Sequence, residues 1–323
     1  MEHWMGSAAP ALEVNPERER FLSEVWAGLA RRPKTLSPKW LYDETGSELY
    51  ERITRLPEYY PTRTEIAILE ARATEIADAV GPRALVIEPG AGSGRKTEIL
   101  LAALHRPAAY VPLDIAAGAL AGAAARIAAR FPSLPVRPVV ADFTGPVAIP
   151  AADLSPARRL AFFPGSTIGN LDPPDAVAFL RTLAADAGPG GALLIGVDHP
   201  KEPDTLVRAY DDAAGVTAAF DLNLLVRINR ELSGDFRPDR FRHESRFDAD
   251  LSRVEMHLVS RVAQRVRVAG RAFTFERGES LHTESAYKWE ARRFDALAAI
   301  AGWRPDRAWS DERAWYSVRL YVR

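Results

Sequence analysis

The sequence predicts an α/β protein: a Rossmann-like, mostly parallel sheet covered by helices on both faces, with a second lobe attached. Three observations predict it. Short runs of branched apolar residues alternate with amphipathic runs from Thr62 to Asp198. A glycine-rich turn, Gly90-Ala91-Gly92-Ser93-Gly94, follows the first apolar run. The alternation then stops, and residues 199–286 carry a different pattern before a closing helix and hairpin.

The elements follow in order. Residues 16–32 read as a helix with Phe21, Leu22, Val25, Trp26 and Leu29 on one stripe, stopped by Pro33. Leu36 to Pro61 is aromatic-rich and reads as irregular. Thr62 and Glu65 make a capping-box pattern for a helix running to about Val80, ended by Gly81 and Pro82. ALVIEP (84–89), AYVPLD (109–114), VRPVVAD (136–142), LAFFPG (160–165) and ALLIGVD (192–198) read as five strands, the third weakened by Pro138. Helices are expected over Lys96–Leu104, over 116–130, and after Asp172, which stands as an N-cap before Pro173 and Pro174. Two amphipathic helices fit 203–232, and strand alternation fits 241–280. A helix ending at Gly302 and a hairpin close the chain. The expected division is 62–198 plus 287–323 for the sheet domain, and 1–61 plus 199–286 for the second lobe. A cleft between two lobes is a usual small-molecule site.

Composition narrows the function. The net charge is −1, with no basic cluster that would suit nucleic acid or an anionic membrane. The absence of cysteine excludes disulfides, thiolate catalysis and Cys-ligated metal sites. The six histidines are scattered, with no His-x-x-x-His spacing, so no metal is assigned. No apolar run reaches the ~20 residues of a membrane span. The N-terminus lacks a basic start followed by an apolar core, so a cytoplasmic protein is the expectation. A monomer is expected, with a small-molecule substrate as its partner.

The glycine turn carries the chemistry. Glycines allow a tight turn and close backbone approach to a ligand, and the helix start that follows offers free N–H groups. A dinucleotide-binding G-x-G-x-x-G would need glycine at 95, where Arg95 stands. The observed G-x-G-x-G, with Glu88 two residues earlier, is the class I methyltransferase form. Asp114 ends the second strand, where an acid can accept from both ribose hydroxyls. Asp142 follows the third, where it can accept from the adenine amine while Phe143 stacks on the ring. Each acid alone would be read as a cap or a surface charge. Three signals at successive strand ends point together to S-adenosylmethionine, because ligands of open α/β sheets bind there.

Four stretches go further: SPKWLYDETGSELYERITRLPEYYPTRTE (37–65), IEPGAGSGRKTEIL (87–100), FFPGSTIGNLDP (162–173) and HTESAYKW (282–289). Through them the chain resembles the bacterial L-histidine Nα-methyltransferases of ergothioneine biosynthesis and their amino-acid-methylating fungal relatives, from about Leu36 to the C-terminus. The resemblance implies a two-lobed enzyme that trimethylates an amino-acid α-amine. It implies cofactor contacts at Tyr42, Gly90, Gly92, Lys96, Asp114, Asp142, Phe143 and Gly165. Tyr60, Asn170 and Tyr210 match positions that hold the amine and carboxylate, with Asn170 and Tyr60 in catalytic roles. Glu284 matches the acid on the imidazole, and Met256 lines the side-chain pocket. One position departs. The family reads Thr-Glu-x-Ser where this chain has Thr283-Glu284-Ser285-Ala286, so Ala286 replaces a hydroxyl that contacts the imidazole. The residues reading the amino-acid head are intact and the one reading the side chain is altered. The resemblance therefore fixes a small-molecule α-amino-acid substrate before it fixes histidine, which is the first expectation. Tryptophan, tyrosine or a modified histidine stay open, as does a non-catalytic protein that only binds S-adenosylmethionine.

Overall fold

The computed structural model describes residues 16–92, 94–115, 117–143, 145, 147–151 and 153–323. The N-terminal stretch read above for a leader, Ser93 of the glycine turn and Ala116 at an expected helix start lie outside them.

Helix α1 (Pro16–Ala30) buries Phe21, Val25 and Leu29, one face at i, i+4 and i+8. Strand β1 (Lys34–Thr35) follows. The stretch 36–61, expected to be irregular, is ordered differently. Pro38–Leu41 form a 3₁₀ turn, and Glu44–Ile53 form α2 because the Asp43 carboxylate accepts from the Gly46 amide at 2.8 Å. Helix α3 (Tyr60–Ala71) begins two residues before Thr62, with Pro61 in its first turn. The expected capping box is not made, because Glu65 is buried and turned inward. A break at Arg72 separates α4 (Ala73–Val80), which Gly81 ends at φ +83°.

The alternation then runs as expected. It comprises β2 (Ala84–Pro89), α5 (Arg95–Ala103), β3 (Ala109–Asp114), α6 (Ala117–Arg130), β4 (Val139–Val140), β5 (Arg158–Phe163), α7 (Pro173–Ala187) and β6 (Ala192–Asp198). The third strand shrinks from the expected 136–142 to β4, because Pro138 has no amide for the ladder. Asp172 stands at the N-cap position of α7, but its carboxylate does not cap; it accepts from the Tyr287 hydroxyl at 2.9 Å and from Arg253 at 3.1 Å. Beyond β6 come α8 (Pro203–Tyr210), α9 (Val216–Leu232), β7 (Phe241–Asp248), β8 (Arg253–Ser260), β9 (Gln264–Val268), β10 (Arg271–Phe275) and β11 (Ser280–Tyr287). Helix α10 (Ala291–Ile300) and the hairpin of β12 (Arg304–Ser310) and β13 (Tyr316–Val322) finish the chain.

The large sheet has the order β12-β13-β6-β5-β2-β3-β4, parallel from β6 to β4 and antiparallel at the closing hairpin. Its residues alternate between faces. Leu160, Phe162 and Leu194 pack with α3, α4 and α5, whereas Ala161, Phe163, Leu193 and Ile195 pack with α7 and α10. The chain steps outward from β2 to β4 and returns to β5 on the other side of β2. That reversal opens a crevice at the strand C-termini between β2 and β5, where ligands of such sheets bind. A second sheet, β1-β11-β8-β7, shares a core with α1, α2 and α9 built on Trp40, Phe220, Leu224, Leu258 and Leu281.

The two sheets meet where the turn Thr167–Asn170, after β5, presses on β11. A Cβ on Gly169 would stand 2.8 Å from the Tyr287 carbonyl oxygen, so only glycine allows this approach. Gly169→Ala is expected to lower unfolding stability by about 1–3 kcal/mol, as overpacking does, in urea denaturation. An unchanged midpoint would show that the turn is not tightly seated.

Candidate active site

The cofactor side is built from the sheet. Gly90 (φ +67°) and Gly94 (φ +80°) hold left-handed conformations that glycine adopts without strain. The Gly90 amide donates to the Leu113 carbonyl at 2.7 Å, which pins the turn across the end of β3. The Asp114 carbonyl accepts from the Ala141 amide at 3.0 Å and so draws Asp142 and Phe143 alongside. A Cβ on Gly90 would fill the space to the Phe143 ring, reaching it at 3.5 Å. Gly90, Gly92, Asp114, Asp142 and Phe143 therefore gather at the ends of β2, β3 and β4. A glycine cradle, two strand-end acids and an aromatic ring are the donor and acceptor set that suits the adenosine of S-adenosylmethionine. The Asp142 carboxylate also meets Arg20 of α1 at 2.7 Å. Glu88 plays a different part. It is buried beneath the turn and accepts from Thr97 and Tyr110, each at 2.7 Å. Burial pushes its carboxyl up to about 7.

Lys96 does not stand alone. Its ammonium pairs at 2.6 Å with Glu65, whose carboxylate also accepts from the Gly165 amide at 2.8 Å. Gly196 on β6 makes room, since a Cβ there would lie 2.1 Å from Glu65 Oε1. Glu65, expected at a helix cap, belongs instead to the site. The available signal was an acid on the apolar stripe of α3.

A pocket adjoins this crevice. Tyr42, Gly165, Asn170, Tyr210, Met256 and Glu284, all singled out from sequence, line it together. Tyr50, Tyr59, Thr217, Phe220 and Asp221 line it too and were missed. Their signal was faint, because single aromatics on an amphipathic helix read as core. The Asn170 amide donates to Glu284 Oε1 at 2.8 Å, and the Tyr42 hydroxyl reaches the same oxygen at 3.4 Å. Burial first, then the Asp221 charge, pushes the Glu284 carboxyl up to about 8. Asp221 is itself buried; one oxygen meets His243 Nδ1 at 2.7 Å, and the other has no hydrogen-bond partner among the described residues.

Glu284 owes its direction to a β-bulge. The pairing of β11 with β8 skips a step between His282 and Glu284, so Thr283 is the extra residue. His282 and Ser285 consequently share a face, where their side chains meet at 3.0 Å. Glu284 and Ala286 share the other, but Ala286, expected to bind substrate, is packed with Tyr60, Val254 and Met256 and is not among the residues that line the pocket. Ser285 thus does not replace the hydroxyl lost at Ala286.

Tyr60 departs from the expectation. It does not line the pocket; its hydroxyl donates to Asp198 at 2.6 Å and accepts from Lys201 at 2.7 Å. Consecutive residues at a helix start point about 100° apart, so one tyrosine of the pair takes the pocket and the other the interior. Tyr59 takes the pocket, its ring edge-on to Tyr210 at 5.8 Å.

A sequence profile described as "Histidine-specific methyltransferase, SAM-dependent" matches residues 21–323. The chain belongs to that family. Its cofactor is S-adenosylmethionine, as the glycine turn and strand-end acids had indicated. A histidine N-alpha-methyltransferase of Mycolicibacterium smegmatis is 44% identical over 323 residues, covering 98% of this chain and 99% of that protein. One of Mycobacterium tuberculosis is 44% identical over 303 residues, covering 92% and 93%. An L-tryptophan methyltransferase of Psilocybe serbica is 30% identical over 324 residues, covering 90% and 89%.

The methyltransferase should show the charge state of Glu284 in its stability. The folded chain keeps a proton on Glu284 up to about pH 8, whereas an ordinary glutamate releases it near 4.5. Stability therefore falls as pH rises through that window. Glu284→Gln holds no such proton. It is expected to gain melting temperature over the wild type progressively from about pH 5 to about pH 8. A difference that stays constant with pH would contradict the buried, protonated carboxyl.

Proposed function

We propose that this chain transfers methyl groups from S-adenosylmethionine to the α-amino nitrogen of L-histidine, three in succession, giving Nα-trimethylhistidine (hercynine) for ergothioneine biosynthesis. The observation that carries this reading is a pocket that brings Asn170, Tyr210 and Glu284 together with Gly165 of the turn at the end of β5. The histidine N-alpha-methyltransferases at 44% identity support the acceptor. In this reading the large sheet domain holds the cofactor, and the lobe carrying β1, β11, β8 and β7 holds the amino acid. The enzyme is taken to act as a cytoplasmic monomer. Among the described residues no helix is long and apolar enough to cross a membrane.

Bound S-adenosylmethionine supplies an electrophilic methyl on a sulfonium and is left as the thioether; the substrate ammonium gives up one proton before each of the three transfers, and the neutral amine takes the methyl in line. The chain's task is proximity, orientation and a neutral amine. Asn170 gives its N–H to Glu284, which leaves its carbonyl oxygen as the end that accepts from an amine N–H and so aims the lone pair. Tyr42, Tyr50 and Tyr59 present aromatic walls suited to the cation that grows with each methyl. The unpaired oxygen of Asp221 is an acceptor for one imidazole N–H, and Glu284, which keeps its proton, offers its O–H to the unprotonated ring nitrogen. Tryptophan is the second reading. It rests on Ala286, which supplies no hydroxyl to a ring nitrogen.

Incubation with S-adenosylmethionine and each of the twenty amino acids, followed by mass spectrometry, tests the proposal. Histidine is expected to gain one, two and three increments of about 14 Da; no increment on any amino acid would defeat both readings. Asn170→Ala is expected to cut turnover at least about tenfold while cofactor affinity holds. Equal loss of both would move Asn170 to the cofactor side. Ala286→Ser is expected to raise kcat/KM for histidine by restoring a hydrogen bond. No change would show that position 286 does not face the ring.

A further inference from the structure

One contact at the cofactor end comes from outside the large sheet. Arg20 of α1 reaches across to Asp142, just beyond β4, and its Nη1 meets the carboxylate Oδ2 at 2.7 Å. The two residues belong to different lobes. Helix α1 packs through Phe21, Val25 and Leu29 into the core that holds Trp40, Leu224 and Phe273. Asp142 is placed by the sheet, through the Ala141 amide on the Asp114 carbonyl.

The guanidinium is itself held from behind. Its Nε donates to Glu24 at 3.2 Å, one helical turn further along α1. Glu24 also accepts from Lys39 at 2.6 Å and from the Trp40 indole at 2.8 Å. Trp40 is buried and stacks on Phe21, with ring centres 4.4 Å apart. Arg20 therefore spans two acids, one in each lobe, and the lobe without the glycine turn sets its direction.

Stability does not account for the contact. The Arg20 and Asp142 side chains are 52% and 31% exposed, and ion pairs open to water add little to folding. Its place matters more. Asp142 is the acid read above as the acceptor for the adenine amine. A carboxylate offers about four acceptor positions on two oxygens, so a cation and an amine can share it. A cation fixed on Oδ2 keeps the carboxylate charged and limits its rotation. The acceptor is then oriented before the ligand arrives, and less freedom is lost on binding.

We propose that Arg20 is a positioning residue for the cofactor: by fixing the Asp142 carboxylate from the second lobe, it sharpens the preference of the adenine end for a 6-amino purine. The inference rests on the reading of Asp142 as the adenine acid and deepens it. The second lobe, assigned above to the amino acid, takes part in recognising the cofactor as well.

The test compares two ligands that differ only in that amine. S-adenosylhomocysteine and its analogue with hydrogen in place of the 6-amino group are titrated calorimetrically into the full chain. The wild type is expected to bind S-adenosylhomocysteine at least about tenfold more tightly than the analogue. Arg20→Met, which keeps an unbranched stem and drops the charge, should weaken S-adenosylhomocysteine about fivefold and the analogue no more than about twofold. With Asp142→Ala already in place, Arg20→Met should cost nothing further, because both act through one carboxylate. The unfolding midpoint of the ligand-free chain should move little in Arg20→Met, which separates positioning from a general loss of structure. Equal losses for both ligands, full additivity with Asp142→Ala, or a large fall in the ligand-free midpoint would overturn the inference. Tighter binding of S-adenosylhomocysteine by Arg20→Met would overturn it too, since Arg20 would then be a competitor for Asp142. If Asp142→Ala leaves the preference for the 6-amino group unchanged, the adenine reading of Asp142 fails and the role of Arg20 falls with it. A preference lost in Asp142→Ala beside an unselective Arg20→Met removes only the role of Arg20.

Discussion

The arrangement of the pocket depends on one buried carboxylate. Asp198 lies at the C-terminal end of a central strand, and a charge there without partners would cost several kcal/mol. Its partners come from three separate parts of the chain: Tyr60 at the start of α3, Lys201 in the loop after β6, and Lys288 just beyond β11. Satisfying that charge holds the first helix of the sheet domain, the central strand and the edge of the second sheet in one geometry. Lys201 shows the strain of the place, its ammonium pushed down to about 8 by burial. Glu65 performs a parallel service on the cofactor side, where it joins α3 to Lys96 and to the Gly165 turn. Two buried acids thus bracket the site, and each is matched to cations and donors that only long-range folding supplies.

Close approach is the second constraint. Gly169 lets the Asn170 turn touch β11, and Gly196 lets Glu65 pass beneath β6. The bulge at Thr283 then turns Glu284, rather than His282, toward the pocket. Small residues and one extra residue in a strand therefore decide which polar groups meet the ligand. The outcome is a pocket that carries two acids, Glu284 and Asp221, beside Tyr210, whose hydroxyl accepts from Lys288 at 2.7 Å.

Much of this was legible in the sequence. Continuous runs of branched apolar residues between amphipathic stretches gave away the parallel sheet, because strands buried on both faces need such residues at nearly every position. Asp114 and Asp142 were readable because strand ends are where such sheets bind ligands. The same rule applied to Asp198 would have found it. Other features could not be read locally. Residues 36–61 lack a helical period, so α2 was hidden behind aromatics that pack against α9. Tyr59 and Tyr60 differ by one residue, and only the exact start of α3 decides which faces the pocket. Glu65 satisfied a local cap pattern, yet a partner in a distant turn, Gly165, claimed it. Ion pairs such as Lys288 with Asp198 span 90 positions of chain and leave no local pattern.

The site delivers methyl groups to the α-nitrogen and not to the imidazole in the reaction proposed above. Nuclear magnetic resonance of the product made from α-¹⁵N-labelled histidine and methyl-¹³C S-adenosylmethionine tests this directly. A one-bond ¹³C–¹⁵N coupling at the labelled nitrogen is expected for every transferred methyl. Methyl signals without that coupling, placed instead on the ring nitrogens, would contradict it.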